Sequence, residues 1–152
     1  MTFDISLDRD GTFYKGTILI GENRLDVHSS GEVFDLVDYQ KSWLGTIEAL
    51  FNCRHAVVFL TSLSRTPDED VFELFGIVAS REQSSVHLSY FVTRLSDLGE
   101  RPDIRLINDH IGGFYDESLG PLEYSKWDLS HWQIELSEVL DFGERLKLRM
   151  AS

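Results

Sequence analysis

Ala56-Val-Val-Phe-Leu60 and Val71-Phe-Glu-Leu-Phe-Gly-Ile-Val-Ala79 are apolar at nearly every position, on both alternating faces. A strand sends successive side chains to opposite faces of its sheet, so such runs need cover on both sides. They read as central strands, and they oblige the rest of the chain to supply covering layers. Thr66-Pro-Asp-Glu-Asp70 between them reads as a loop, since Pro67 cannot donate to a ladder and three consecutive acids want solvent.

Two amphipathic segments can provide the cover. In Asp35-Leu-Val-Asp-Tyr-Gln-Lys-Ser-Trp-Leu44, Asp35 and Asp38 are both suitable N-caps. From there Tyr39, Trp43, Leu44, Ile47, Leu50 and Phe51 follow helical spacing on one arc, with Asp38, Lys41 and Glu48 outside it. The helix should end near Asn52 or Arg54. The second segment is Ser130-His-Trp-Gln-Ile-Glu-Leu-Ser-Glu-Val-Leu-Asp-Phe142. Ser130 followed by Gln133 reads as a capping box, so this helix should start there. Trp132, Leu136, Val139, Leu140 and Leu146 then share a core face, opposite Glu138, Asp141 and Glu144. Gly143 marks either close packing of this helix on the sheet or a bend. Trp43 and Trp132 are thus expected to be buried against a common sheet.

Elsewhere, Phe3, Ile5 and Leu7 alternate with polar residues, the period of a half-buried strand. Asp10-Gly11 supplies a turn, 13–20 a second strand and Leu25–His28 a third. Val86–Thr93 reads as a strand joined to the preceding one by a tight turn at Glu82-Gln-Ser84. Residues 94–126 are punctuated by glycine and proline, and Ile104, Leu106 and 111–115 suggest one or two short strands at most. The order is three strands, a helix, at least three strands and a helix. It predicts an α+β fold with largely antiparallel sheets and two amphipathic helices, in one compact domain over residues 1–152.

The 26 acidic residues outnumber the 14 basic ones and spread along the chain, for a net charge of -12. That field repels nucleic acid and anionic lipid and attracts basic proteins. No run approaches the roughly 18 apolar residues of a membrane span, and the acid-rich start does not resemble a secretory signal. The lone Cys53 allows no internal disulfide and reads as a small buried hydrophobe. Together these predict a cytoplasmic protein that binds neither membrane nor nucleic acid.

Catalytic patterns are missing. His28, His55, His87, His110 and His131 show no metal-ligand spacing, and no cofactor or metal is expected. Asp109-His110 reads as a surface dipeptide rather than half of an acid–base pair. Asp68, Glu69 and Asp70 lack the alternation and glycine turn of a calcium loop. Gly112-Gly113 is not followed by the Lys-Ser or Lys-Thr of a phosphate loop, and no Gly-x-Ser-x-Gly occurs. A binding protein fits better than an enzyme.

Asp38-Tyr-Gln-Lys-Ser-Trp-Leu44, together with Trp132-x-x-x-Leu-x-x-Val-Leu-Asp-Phe142, resembles the signature of an immunity-protein family. It is that of bacterial contact-dependent growth inhibition systems of the Enterobacter type. The resemblance implies a cytoplasmic, non-catalytic, single-domain protein that binds and neutralises the C-terminal toxin domain of a cognate effector. It implies a Whirly-like fold without nucleic-acid binding, and a toxin that is often a nuclease. It carries no contact residue with it, because the matched residues read as helix and core positions and immunity surfaces diverge.

A nuclease that handles RNA is usually basic, and an acidic inhibitor would be steered to it quickly. On that ground the candidate toxin contacts are Asp68, Glu69 and Asp70, then Asp116 and Glu117, then Glu138 and Asp141. The competing reading is an acidic non-catalytic adaptor or a small-ligand-binding domain. An enzyme with a site assembled within 94–126 is the weakest reading.

Overall fold

The computed structural model describes residues 2–52, 56–66, 71–99, 101–117 and 131–151, with 113–117 described by their helical backbone. The chain runs β1 (Phe3–Asp10), β2 (Phe13–Ile20), β3 (Asn23–Ser30), α1 (Leu36–Phe51), β4 (Val57–Arg65) and β5 (Val71–Glu82). It continues with β6 (Ser85–Ser96), α2 (Ile104–Glu117), β7 (His131–Glu135) and α3 (Leu136–Ala151). All neighbouring strands are antiparallel, in a three-stranded sheet ordered β1-β2-β3 and a four-stranded sheet ordered β4-β5-β6-β7. The α+β class and the antiparallel sheets are those the sequence predicts.

The start of α1 is written locally. Asp35 accepts from the Asp38 N–H at 2.8 Å, and the Asp38 carboxylate accepts from the Asp35 N–H at 3.0 Å. This reciprocal cap satisfies donors that the first helical turn leaves unpaired. Tyr14 on β2 adds its hydroxyl as acceptor for the Leu36 N–H at 3.1 Å. The helix then buries Tyr39, Trp43, Ile47 and Leu50, and with them the polar Ser42 and Thr46. It ends at Phe51 with Asn52 as cap, as its spacing suggests.

The core joins both sheets to α1 and α3. Phe142 of α3 meets Phe3 of β1 at 5.3 Å, edge to face, and lies 6.2 Å from Trp43 and 6.4 Å from Phe59. Gly143 beside it is buried, and a Cβ there would stand 3.1 Å from Ile47 Cδ1. The glycine therefore brings α3 close to α1, a helix, rather than to the sheet, and the helix runs through it without interruption.

Strand β4 ends its sheet, yet every residue from Val57 to Leu63 is buried. Side chains complete its outer edge. Thr46 donates to Val58 O at 2.7 Å, Trp43 Nε1 donates to Leu60 O at 2.7 Å, and Ser29 donates to Thr61 O. The Val58 N–H donates to Asn108 Oδ1 at 2.9 Å, and the Leu63 N–H donates to the Tyr39 hydroxyl at 3.1 Å. The ladder slips between Leu60 and Ser62, a bulge opposite Gly76, where a Cβ would lie 2.6 Å from Phe59 O. A bulge re-aims an edge, and here the residues on either side of it all find partners. Burial pushes the Tyr39 phenol up to about 12, against the Leu63 and Ser62 hydrogen bonds that lower it.

Strand β1 is closed by charge instead. Arg145 and Arg149 of α3 both reach Asp4 Oδ1, at 2.8 and 2.5 Å. Further donors of the same two side chains bond Phe3 O at 2.7 Å and Ile5 O at 3.2 Å.

Three expectations are corrected. Residues 104–117 form a helix, α2, where short strands were expected. Ile104, Ile107, Asn108 and Ile111 make its inward stripe, and Asp103 starts it by accepting from the Arg105 N–H at 2.6 Å. His131–Glu135 form strand β7 on the edge of β6, so the last helix starts at Leu136 rather than beside Ser130, which lies outside the described residues. The alternation of Trp132 and Ile134 with polar neighbours suits that edge, and pairing with β6 prevails over a local capping pattern. Consequently Trp132 sits across from Leu88 on a strand and is only half-buried, whereas Trp43 is 1% exposed.

Candidate partner-binding surface

The proposed acidic contacts fall in three different settings. Asp68, Glu69 and Asp70 lie outside the described residues, as does Cys53. Asp116 and Glu117 belong to the last turn of α2 rather than to an irregular stretch. Glu138 and Asp141 are on α3, as predicted, in its first and second turns. Asp141 is exposed and pairs with Arg145 at 3.2 Å, one turn on. Glu138 is half-buried rather than outward-facing.

Both acids line a shallow depression of about 400 Å³ with Thr2, Ser137 and Arg145. Glu138 also borders a second depression of about 500 Å³, beside Ser85, Gln133 and Glu135. The joint between β7 and α3 thus gathers Glu135, Glu138 and Asp141 around two adjoining hollows. Glu135 escaped the sequence reading because it was assigned to a helix. On the strand it is exposed opposite Ser85. The first hollow is of mixed sign, since Arg145 lines it and pairs with Asp141, and the second carries Glu135 and Glu138.

A different surface lies between α1 and α3. Leu44, Ile47, Phe51 and Leu140 line a groove of about 720 Å³, flanked by Lys41, Glu48, Glu144 and Lys147. Phe51 is 55% exposed, although helical spacing assigns it to the core. It ends the helix, and Arg81 of β5 donates to its carbonyl at 2.9 Å and lies over its ring at 5.9 Å. Leu148 on α3 is 73% exposed.

Among the described residues, two histidines come together that spacing does not reveal. His87 on β6 stacks on His131 of β7 with centroids 5.7 Å apart. His87 Nε2 lies 3.2 Å from Glu82, and His131 Nδ1 lies 3.1 Å from the Ser89 hydroxyl. Asp109 and His110 are consecutive on α2, where neighbours diverge by about 100° and do not face each other. Among the described residues, no group of three or more His, Cys, Asp and Glu is placed to hold a metal ion. Among the same residues, no helix is long and apolar enough to cross a membrane.

No family model and no curated protein matches the chain. Among solved structures it is similar to a chain of the CdiA-CT/CdiI toxin and immunity complex from Enterobacter cloacae. The two share 20% identity with a TM-score of 0.65, over 96% of this chain and 99% of that one. At that identity the likeness establishes a shared fold that extends over nearly the whole of both chains.

Proposed function

We propose that this chain is a contact-dependent growth inhibition immunity protein. In this reading it binds the C-terminal toxin domain of a cognate effector in the cytoplasm and neutralises it, acting by binding and without catalysis. The observation that carries the reading is the likeness, over nearly its full length, to a chain of a toxin and immunity complex. Two sequence features support it independently. The blocks around Trp43 and Trp132 resemble the same kind of immunity protein, and a net charge of -12 suits the inhibitor of a basic nuclease.

The proposed contacts are the acids Asp68, Glu69 and Asp70, Asp116 and Glu117, and Glu138 and Asp141. Glu138 and Asp141 are favoured by the hollows they border. Neutralising a lethal enzyme calls for nanomolar affinity, roughly 12 kcal/mol, which a standard interface of about 800 Å² per partner can supply.

The test is to express the C-terminal toxin domain of the cognate effector with and without this protein. Growth should be restored only with it, and calorimetry on the purified pair should give a nanomolar dissociation constant. A toxin domain that kills equally well in its presence, with no measurable binding, would remove this function. An acidic adaptor would then be the better account.

A further inference from the structure

The side chains that complete the β4 edge come from elements held with unequal strength. Helix α1 buries Tyr39, Trp43, Ile47 and Leu50, four large side chains, and three of its residues bond to β4. Among the α2 residues whose side chains are described, 104–112, the inward stripe is Ile104, Ile107, Asn108 and Ile111, of which Ile104 is only half-buried. Its Leu106 is 37% exposed, and residues 105 and 109 face solvent. Asn108 is 2% exposed, accepts from the Val58 N–H at 2.9 Å, and reaches Thr46 Oγ1 at 3.4 Å. Elements with few buried apolar contacts are the ones that open below the free energy of global unfolding.

We propose that α2 is a separately opening cover over the first part of the β4 edge, with Asn108 as its latch. Opening bares the Val58 N–H while Thr46 still holds Val58 O, Trp43 holds Leu60 O and Tyr39 holds the Leu63 N–H. The edge therefore uncovers in two steps. The first frees one donor of a buried strand, and the second requires α1 to leave its sheet. Gly45 supplies an independent handle. A Cβ there would stand 2.9 Å from Ile104 Cγ2, so it would crowd α2 without touching the hydrogen bonds on β4.

Amide hydrogen exchange on the full chain, read by NMR as protection factors, distinguishes one step from two. In the wild-type chain the Val58 amide should be protected at least about tenfold less than the Leu63 amide. Asn108→Ala removes the only described acceptor for that N–H, and should speed Val58 exchange by roughly ten- to a hundredfold while leaving Leu63 unchanged. Gly45→Ala should act in the same direction at Val58 alone. If Asn108→Ala does not fold, the wild-type comparison and Gly45→Ala decide the matter. Equal protection of Val58 and Leu63 in the wild type, or parallel acceleration of both in the folded variants, would overturn the proposal.

Discussion

Strands β4 and β1 each end a sheet, and each has outward backbone groups bonded by side chains, from α1, α2 and β3 at β4 and from α3 at β1, but with opposite chemistry. The β4 edge is dry and its partners are neutral: two hydroxyls, a phenol, an indole and an amide. The β1 edge sits where water reaches. Arg145 and Arg149 there are 33% and 39% exposed, and the charge is carried by the pair around Asp4. Burying an ion costs several kcal/mol unless geometry and further hydrogen bonds offset it. A charged cap is therefore admissible at the rim and costly beneath α1. Both solutions occupy backbone groups that another strand would need to extend the sheet, from Val58 to Leu63 on β4 and at Phe3 and Ile5 on β1. The lesson is that accessibility to water, rather than the need of the backbone, selects the kind of cap.

The largest effect should come from the dry edge. Trp43→Ala should destabilise by about 3–5 kcal/mol, since it empties a buried site beside Phe142 and leaves Leu60 O without its donor. Trp43→Phe keeps most of the bulk and should still cost about 1–2 kcal/mol for the lost hydrogen bond. Urea midpoints at low and high salt would check both, and neither cost should depend on salt. A Trp43→Phe variant as stable as wild type would show that the indole N–H contributes nothing to closing the edge.

The β1 edge should respond differently. Asp4→Ala leaves two guanidinium groups facing each other without their shared carboxylate. We expect a loss of about 3 kcal/mol, the low end for a broken buried pair because both arginines are partly solvated. Added salt screens the exposed part of that repulsion, so the loss should shrink as ionic strength rises. If the Asp4 and Trp43 variants show the same salt response, the contrast between the edges fails.

How far the sequence discloses these edges depends on whether their determinants are local. Helix α1 was legible because its cap, Asp35 with Asp38, and its apolar spacing lie within one segment. Thr46 interrupts that spacing and gains meaning only once β4 lies beneath it, whereas buried Ser42 turns its hydroxyl back to Tyr39 O. Helix α2 is hard to read because Asn108 interrupts the run of Ile104, Ile107 and Ile111, and Gly99, Pro102, Gly112 and Gly113 surround it. Strand β7 reads as helix in the sequence because Leu136 onward is helical and the Ser130–Gln133 pattern extends that helix backwards. Only the open edge of β6 at Ser85–Ser89 tells the chain to pair there. Of the candidate contact surface, Glu138 and Asp141 were legible as polar helix positions. Glu135 depends on β7 and was not.

Tyr39 links the dry edge to pH. Its phenol titrates near 10 in the unfolded chain and near 12 in the folded one, because burial disfavours the phenolate. Between those values the unfolded chain has released the proton and the folded chain has kept it, so stability falls as pH rises. The contribution is fully present below pH 10 and lost through pH 12, amounting to about 2–3 kcal/mol at 1.4 kcal/mol per unit. Ultraviolet absorbance of the phenolate during alkaline titration would show one tyrosine ionising only as the chain unfolds. Titration of every tyrosine near 10 with the fold intact would mean that the hydroxyl is not held against β4.

The smallest stability effect sharpens the comparison on a single arginine. Arg145 meets two acids, Asp4 at 2.8 Å and Asp141 at 3.2 Å, with side chains 12% and 70% exposed. The geometry is similar and the solvent is not. Asp141→Asn should therefore change stability by at most about 0.5 kcal/mol, the range of an exposed pair one helical turn apart. If this acid meets a basic toxin domain, the same substitution should slow association severalfold at low salt and hardly at all at high salt, since rim charges act mainly on the on-rate. Charge reversal, Asp141→Lys, should enlarge the kinetic effect, and the corresponding change at Glu138 should add to it. Stopped-flow association at two ionic strengths separates the outcomes. A stability loss as large as that of Asp4→Ala would make Asp141 a second structural clamp. Unchanged association in both Asp141 variants would move the contact surface away from the β7–α3 joint.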